Sequence, residues 1–272
     1  MMHTLGMKGA NLVYSLVLIV GLSTGCQREQ PTDNEESSSW IPAALAEEDT
    51  ADPEGRDVIL RLTDFMSRQK EFMTEALTTF EAVQESGQKL HFDLLQRVAV
   101  RKPGQLYWKT LRDNAKVDTA WFSDGQFTMY KEPADVWGQI RGPWNIPEMI
   151  SLLRDEYNVD IPFQDLLADH PADLWLSGED VSVMYVGEAW VEGAWTDHVA
   201  VRKPEVDFQL WIRQGPQPFL AKMVIVFTAE EGQPTYTARF RNWSLEITDA
   251  ALFDFTPPEG SEQIEVARVS QE

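Results

Sequence analysis

The sequence predicts an α+β domain: a single strongly curved antiparallel sheet with short helices on one side. Three observations carry that expectation. Apolar and polar residues alternate through much of 72–130 and again from 183 onward, the period-2 signature of half-buried strands. Helical spacing is confined to three short stretches, near 57–70, 147–156 and 162–169. Neither set of strands has enough helix beside it to cover a sheet of its own, so both must share one core.

The chain opens with Lys8, an apolar run from Leu12 to Val20, and then Leu22-Ser23-Thr24-Gly25-Cys26, which holds the only cysteine. The run is too short for a membrane-spanning helix, which needs about 20 apolar residues. An ordinary secretory signal also ends in small residues and would leave Cys26 a free thiol. A structural cysteine in a core is at odds with Gln27-Arg28-Glu29-Gln30-Pro31, which follows at once. Charge, apolar stretch, small residues and cysteine in that order read as a bacterial lipoprotein signal, although Ser23 stands where leucine is commonest. On this reading residues 1–25 are removed and Cys26 is lipid-modified, with acyl chains, palmitate among them, on its sulfur and amine. More than one such chain gives stable anchoring, each buried CH₂ contributing about 0.8 kcal/mol. Gln27, rather than aspartate, after the cysteine directs the expectation to the periplasmic face of the outer membrane.

Residues 26–55 are rich in Glu, Asp, Ser and Pro, with Trp40-Ile41-Pro42 and Leu45 the main apolar exceptions. Such a segment buries too little to offset its ordering entropy and reads as an acidic disordered tether, with a reach on the order of 30 Å. Val58, Ile59, Leu62, Phe65 and Met66 then recur at helical spacing within 57–70. Thr78, Phe80, Ala82 and Val83 lead into the turn Ser86-Gly87-Gln88, and Leu90, Phe92, Leu94, Val98 and Val100 alternate with polar residues beyond it. Pro103-Gly104 and Ser123-Asp124-Gly125 separate further strands, forming a meander. Pro147–Glu156 and Pro162–Asp169 read as two helices with proline in the first turn. Strands resume at Val183, and Phe208, Leu210 and Ile212 share an inward face with Phe92 and Leu94. The domain is expected to span 56–266, with 267–272 a loose tail.

A net charge of −21 and a pI near 4.5 exclude nucleic acid as a partner, because phosphate binding needs clustered Lys and Arg. The same acidity disfavours lying flat on anionic lipid. One cysteine allows no intrachain disulfide and no Cys-based metal site. Outside the signal the histidines are His91, His170 and His198; His91 and Asp93 share a polar strand face, and Asp197 precedes His198. No nucleophile elbow, zinc-protease helix or phosphate-binding glycine loop occurs. The chain is therefore expected to be no enzyme, with no cofactor and no metal.

The run Val100-Arg101-Lys102-Pro103-Gly104-Gln105-Leu106-Tyr107-Trp108, followed by Ser123-Asp124-Gly125 and Tyr130, resembles the first half of the periplasmic lipoprotein carrier family. The wider chain, over about residues 57–266, is similar to a family of predicted periplasmic proteins, DUF2092, of the same LolA/LolB-like fold. That likeness rests on Tyr185-Val186-Gly187-Glu188, Asp207–Ile212, Tyr236-Thr237-Ala238, Asn242-Trp243 and Phe253–Pro258. The resemblance implies an unclosed half β-barrel of about 11 antiparallel strands, its open side covered by helices. In the carrier and its anchored receptor the cavity beneath those helices holds acyl chains.

Two readings of the apolar side chains follow. Phe92, Leu94, Trp108, Met129, Met149, Leu152, Leu153, Phe163, Leu167, Leu210 and Ile212 are either plain core or, as the resemblance implies, the lining of a hydrophobic ligand cavity. The expected function is accordingly that of a lipid-anchored envelope protein binding lipid or lipoprotein acyl chains. The alternative is a protein-interaction or envelope-stress sensing module, with an envelope protein as partner.

Overall fold

The computed structural model describes residues 52–269 except 169 and 179. The signal stretch, Cys26 and nearly all of the acidic segment lie outside the described residues. Eleven strands form two antiparallel meanders. The first runs β1 (Glu71–Val83), β2 (Lys89–Arg101), β3 (Gln105–Arg112), β4 (Val117–Ser123), β5 (Gln126–Lys131) and β6 (Val136–Arg141). The second runs β7 (Ser182–Val191), β8 (Ala194–Lys203), β9 (Val206–Arg213), β10 (Leu220–Val226) and β11 (Thr235–Ser244). Pairing of β1 with β11 joins them into a single sheet, ordered β12-β6-β5-β4-β3-β2-β1-β11-β10-β9-β8-β7, where β12 is the two-residue, parallel Glu262–Gln263. The end strands β7 and β12 do not pair, so the barrel stays open, and the α+β half-barrel expected from the sequence is the fold observed.

Alternation decides which face is inside. Phe72, Ala76, Val98, Val100, Leu106, Trp108, Ala120, Phe122, Val199, Val201, Phe208, Leu210, Ile212, Ala238 and Phe240 all bury against one core. Three helices close over it. Helix α1 (Pro53–Ser67) presents Val58, Ile59, Leu62 and Met66 to β7, β8 and β9. Each such side chain fully removed from water contributes roughly 1.5–3 kcal/mol. Asp52 caps α1, one carboxylate oxygen accepting from the Glu54 and Gly55 amides and the other from the Tyr185 amide of β7 at 2.5 Å. Gly55 permits this approach, since a Cβ there would lie 2.9 Å from Val183 Cγ1 and 3.0 Å from the Tyr185 nitrogen. The helix begins four residues earlier than its apolar spacing predicts, because Asp52-Pro53 supplies an N-cap and a first-turn proline.

Helix α2 (Ile146–Tyr157) forms where expected, opened by an Asn145–Glu148 capping box and closed by Asn158 in the left-handed region. The expected helix over 162–169 is instead a single 3-10 turn, Gln164–Leu167, and a separate helix α3 (Pro171–Leu176) follows it. Phe163 takes a φ of 58°, which an α-helix cannot continue through, and its ring packs edge-on against Phe240 at 4.7 Å. Packing of that one ring overrides the local helical pattern.

Both edges of the sheet are covered. The β7 edge meets the α1 N-terminus and is broken by a bulge between Tyr185 and Gly187, the glycine at φ 132°. After β11 the chain crosses the outer face, where Ile247 and Phe253 form a second small core with Ala99 and Tyr107. The Phe255 ring then contacts both Trp121 and Trp137, and β12 pairs with β6. Val269 finally bonds the Glu156 carbonyl of α2 at 2.9 Å.

Candidate functional site

A cavity of about 590 Å³ opens where the β1–β2 and β10–β11 hairpins meet the loop that follows α2. That size lies within the range of small-ligand pockets. Its apolar wall comes from inward positions near the hairpin ends: Phe80 and Ala82 of β1, Leu94 of β2, Met223 and Ile225 of β10, Tyr236 of β11, and Phe227 just beyond β10. The loop supplies Ile161, Pro162 and Phe163. Gln96 of β2 also lines the cavity, and its Oε1 accepts from the Thr78 hydroxyl behind it at 2.9 Å, both residues being buried.

The mouth is acidic. Glu85 and Glu231 stand exposed there, Glu81, Asp160, Asp165 and Glu230 also belong to the cavity lining, and that lining contains no lysine or arginine. Burial pushes the Asp160 carboxyl up to about 6, and raises those of Asp165 and Glu230 above the usual carboxylate range. The Trp175 indole N–H donates to Asp165 at 3.1 Å, which partly offsets the effect there. Glu81 behaves oppositely: Lys89 and the Thr235 amide bond its Oε2 at 3.0 and 2.8 Å and hold it low against its own desolvation.

Of the side chains named from the sequence, Leu94 and Phe163 line this cavity. Phe92 stands beside it, stacked on Phe80 with ring centres 5.4 Å apart. Trp108, Met149, Leu153, Leu210 and Ile212 are packed in the main core, Met129 lies half-buried against it, and Leu152 is half-buried on α2. Leu167 is in the core too and borders a small crevice of about 80 Å³ beneath the β2–β3 turn. Nothing in the sequence marks Phe80, Met223, Ile225, Phe227 and Tyr236 as cavity residues rather than ordinary strand residues. Alternation tells which face a strand residue takes, but not how far along the half-barrel it sits, and only the hairpin ends reach the cavity.

The histidines sit apart from one another. His91 pairs with Glu81 at 3.3 Å on the surface. His198 stacks on Trp211 with ring centres 4.1 Å apart, bonds Gln209, and has its pKa lowered by burial. Asp197 faces the other side of β8, where it accepts from Arg61, Tyr185 and Gln214. Strand alternation thus separates the Asp-His neighbours. His170 precedes the first turn of α3. Among the described residues no group of three or more His, Cys, Asp or Glu side chains is placed to hold a metal ion.

The sequence model of a family described as predicted periplasmic protein, DUF2092, matches residues 56–267. The chain belongs to the DUF2092 family. No curated protein matches it. Among solved structures this DUF2092 protein is similar to an uncharacterized conserved protein from Thermus thermophilus (10% identity, 78% of this chain and 99% of that one, TM-score 0.45). Mycobacterium tuberculosis lipoprotein LppX aligns at 12% identity over 73% of this chain and 99% of its own, with a TM-score of 0.43. A LolA superfamily protein from Nitrosomonas europaea aligns at 7% identity over 74% and 97%, with a TM-score of 0.33.

Proposed function

We propose that this protein is a non-catalytic, lipid-anchored envelope protein that holds an apolar ligand, such as a lipid or lipoprotein acyl chain, in the cavity of its half-barrel. The observation that carries the reading is the cavity itself: about 590 Å³ of space walled by Phe80, Leu94, Phe163, Met223 and Ile225. Each CH₂ that enters leaves water with a gain of roughly 0.8 kcal/mol. Met223 adds a compliant wall suited to chains of different shape. The lining carries six carboxylates and no lysine or arginine, and among the described residues only Glu81 of the six is paired with such a cation, Lys89 just outside it. This favours a ligand whose polar end is neutral or cationic over one carrying phosphate or carboxylate. The lipoprotein signal ending at Cys26 supports anchoring, and Gln27 supports the outer membrane as its site.

The test is a titration with a fluorescent single-chain lipid against the wild-type protein and an Ala82→Trp variant. Ala82 lines the cavity, and an indole there projects into the space the ligand would take. Saturable binding by the wild type and at least tenfold weaker binding by a folded Ala82→Trp protein is the expected result. Equal binding by both would place the ligand elsewhere and end the proposal.

A further inference from the structure

At the far end of the sheet from the cavity, the β7–β8 hairpin carries two tryptophans in water. Trp190 and Trp195 face each other across the hairpin, ring centres 5.5 Å apart and edge to face. They are 62% and 55% exposed, whereas every other tryptophan among the described residues is buried or half-buried. An indole with an apolar body and one N–H donor suits the boundary between lipid headgroups and acyl chains.

The path of the chain selects the occupant. Asp52, the first described residue, accepts a bond from the Tyr185 amide, so the described chain begins beside β7. Trp190 lies five residues further along the same strand, about 17 Å away. About 25 residues separate Cys26 from Asp52, an extended reach of about 85 Å, so an anchor at Cys26 lets this hairpin touch the bilayer. Tethering also raises the effective concentration of one surface at the other, so even a weak contact is well populated. With Glu188 beside the tryptophans, Glu192 paired to Arg239 at 3.5 Å, and a net charge of −21 over the whole chain, the surface that fits is zwitterionic rather than anionic.

We propose that the Trp190–Trp195 hairpin tip docks into the zwitterionic lipid surface that holds the anchor. This rests on the reading of Cys26 as lipid-modified and adds an orientation to it. Along the strands, Trp190 pairs with Trp195 at one end, while Ser182 pairs with Arg202, level with Asp207 and Val226, at the other. The cavity lies toward that second end: its wall runs from Met223, level with Tyr185, to Phe227, just past the level of Ser182, so along β7 it begins about 17 Å from the tryptophans. A docked domain therefore turns its cavity mouth away from the bilayer and toward the aqueous space, where cargo arrives.

The experiment uses the chain from residue 26, which contains every described element. It is held by an N-terminal hexahistidine tag to phosphatidylcholine vesicles containing a nickel-chelating lipid, so docking is read whether or not Cys26 is acylated. Brominated acyl chains in the vesicles should quench a part of the tryptophan emission that a Trp190→Ala/Trp195→Ala variant lacks. Replacing half the phosphatidylcholine with an anionic lipid should reduce that part at least twofold. Hydrogen exchange at residues 189–196 of the wild type should slow at least threefold on vesicles. Equal quenching in both proteins, or unchanged exchange at 189–196, would overturn the docking proposal. Slowed exchange that depends on protein concentration without vesicles would overturn it in favour of a second copy of the chain. The cavity reading stands or falls separately on ligand binding, which this variant should leave unchanged.

Discussion

Asp160 is ionised at neutral pH in a place that resists the charge. Its carboxyl is raised to about 6 by burial, and its Oδ1 is enclosed without a hydrogen-bond partner. Because the folded value lies above the unfolded one, the folded state binds the extra proton between about 4 and 6, and stability falls as pH rises through that window. Asp160→Asn is therefore expected to stabilise the protein at pH 7.5 by on the order of 1 kcal/mol, after discounting for solvent screening, and to leave it unchanged near pH 3.5. Thermal melts at the two pH values check it. Glu75 has the opposite sign. Asn242 and Arg97 bond its carboxylate, Arg241 lies 3.7 Å away, and its pKa is lowered. That stability is present above the unfolded value and is lost as pH falls through the folded one. Glu75→Gln should lower stability at pH 7 by about 0.5–1 kcal/mol, as exposed ion-pair networks do, with the difference vanishing on acidification. Denaturant titrations of both proteins across pH would show it.

Among the elements, the C-terminal crossing of the outer face does the most that strands alone could not. Phe253 is buried between Ala99 and Tyr107, with the Arg101 guanidinium 4.9 Å from its ring centre. Phe253→Ala should cost about 3–5 kcal/mol, measured by denaturant unfolding, and should speed hydrogen exchange through 247–264. A smaller cost with unchanged exchange would mean that the crossing is held by β12 and Phe255 instead. This crossing also marks where sequence reading falls short. The strand–turn pattern around Gly87, Gly104 and Gly125 gives β1 to β5, because alternation and turn chemistry are local, but it does not mark β6. Phe253, Phe255 and Glu262 carry no period, and their partners Tyr107, Trp121 and Val136 lie more than a hundred residues away. The left-handed Phe163 is illegible for the same reason: its conformation answers to Phe240, not to its neighbours in sequence.

The inner face is continuous from Trp108 to Ile212, yet the helices do not cover all of it: α1 sits over β7–β9, and a short loop bounds the hairpin ends. Alternation and family likeness in the sequence place Leu94 and Phe163 on an inward face. Depth along the barrel separates them from Trp108, Met149 and Ile212, and depth depends on strand register, which no single strand encodes. The same register puts the acidic mouth and the Trp190–Trp195 hairpin at opposite ends of the sheet. The central claim is that the cavity holds an apolar ligand. Solvent extraction of the protein purified from its native membrane, followed by mass spectrometry, tests it most directly. A neutral or cationic lipid in near-stoichiometric amount, strongly reduced in Ala82→Trp, is the expected result. A protein that yields no lipid, together with a cavity that exchanges freely with water, would contradict it.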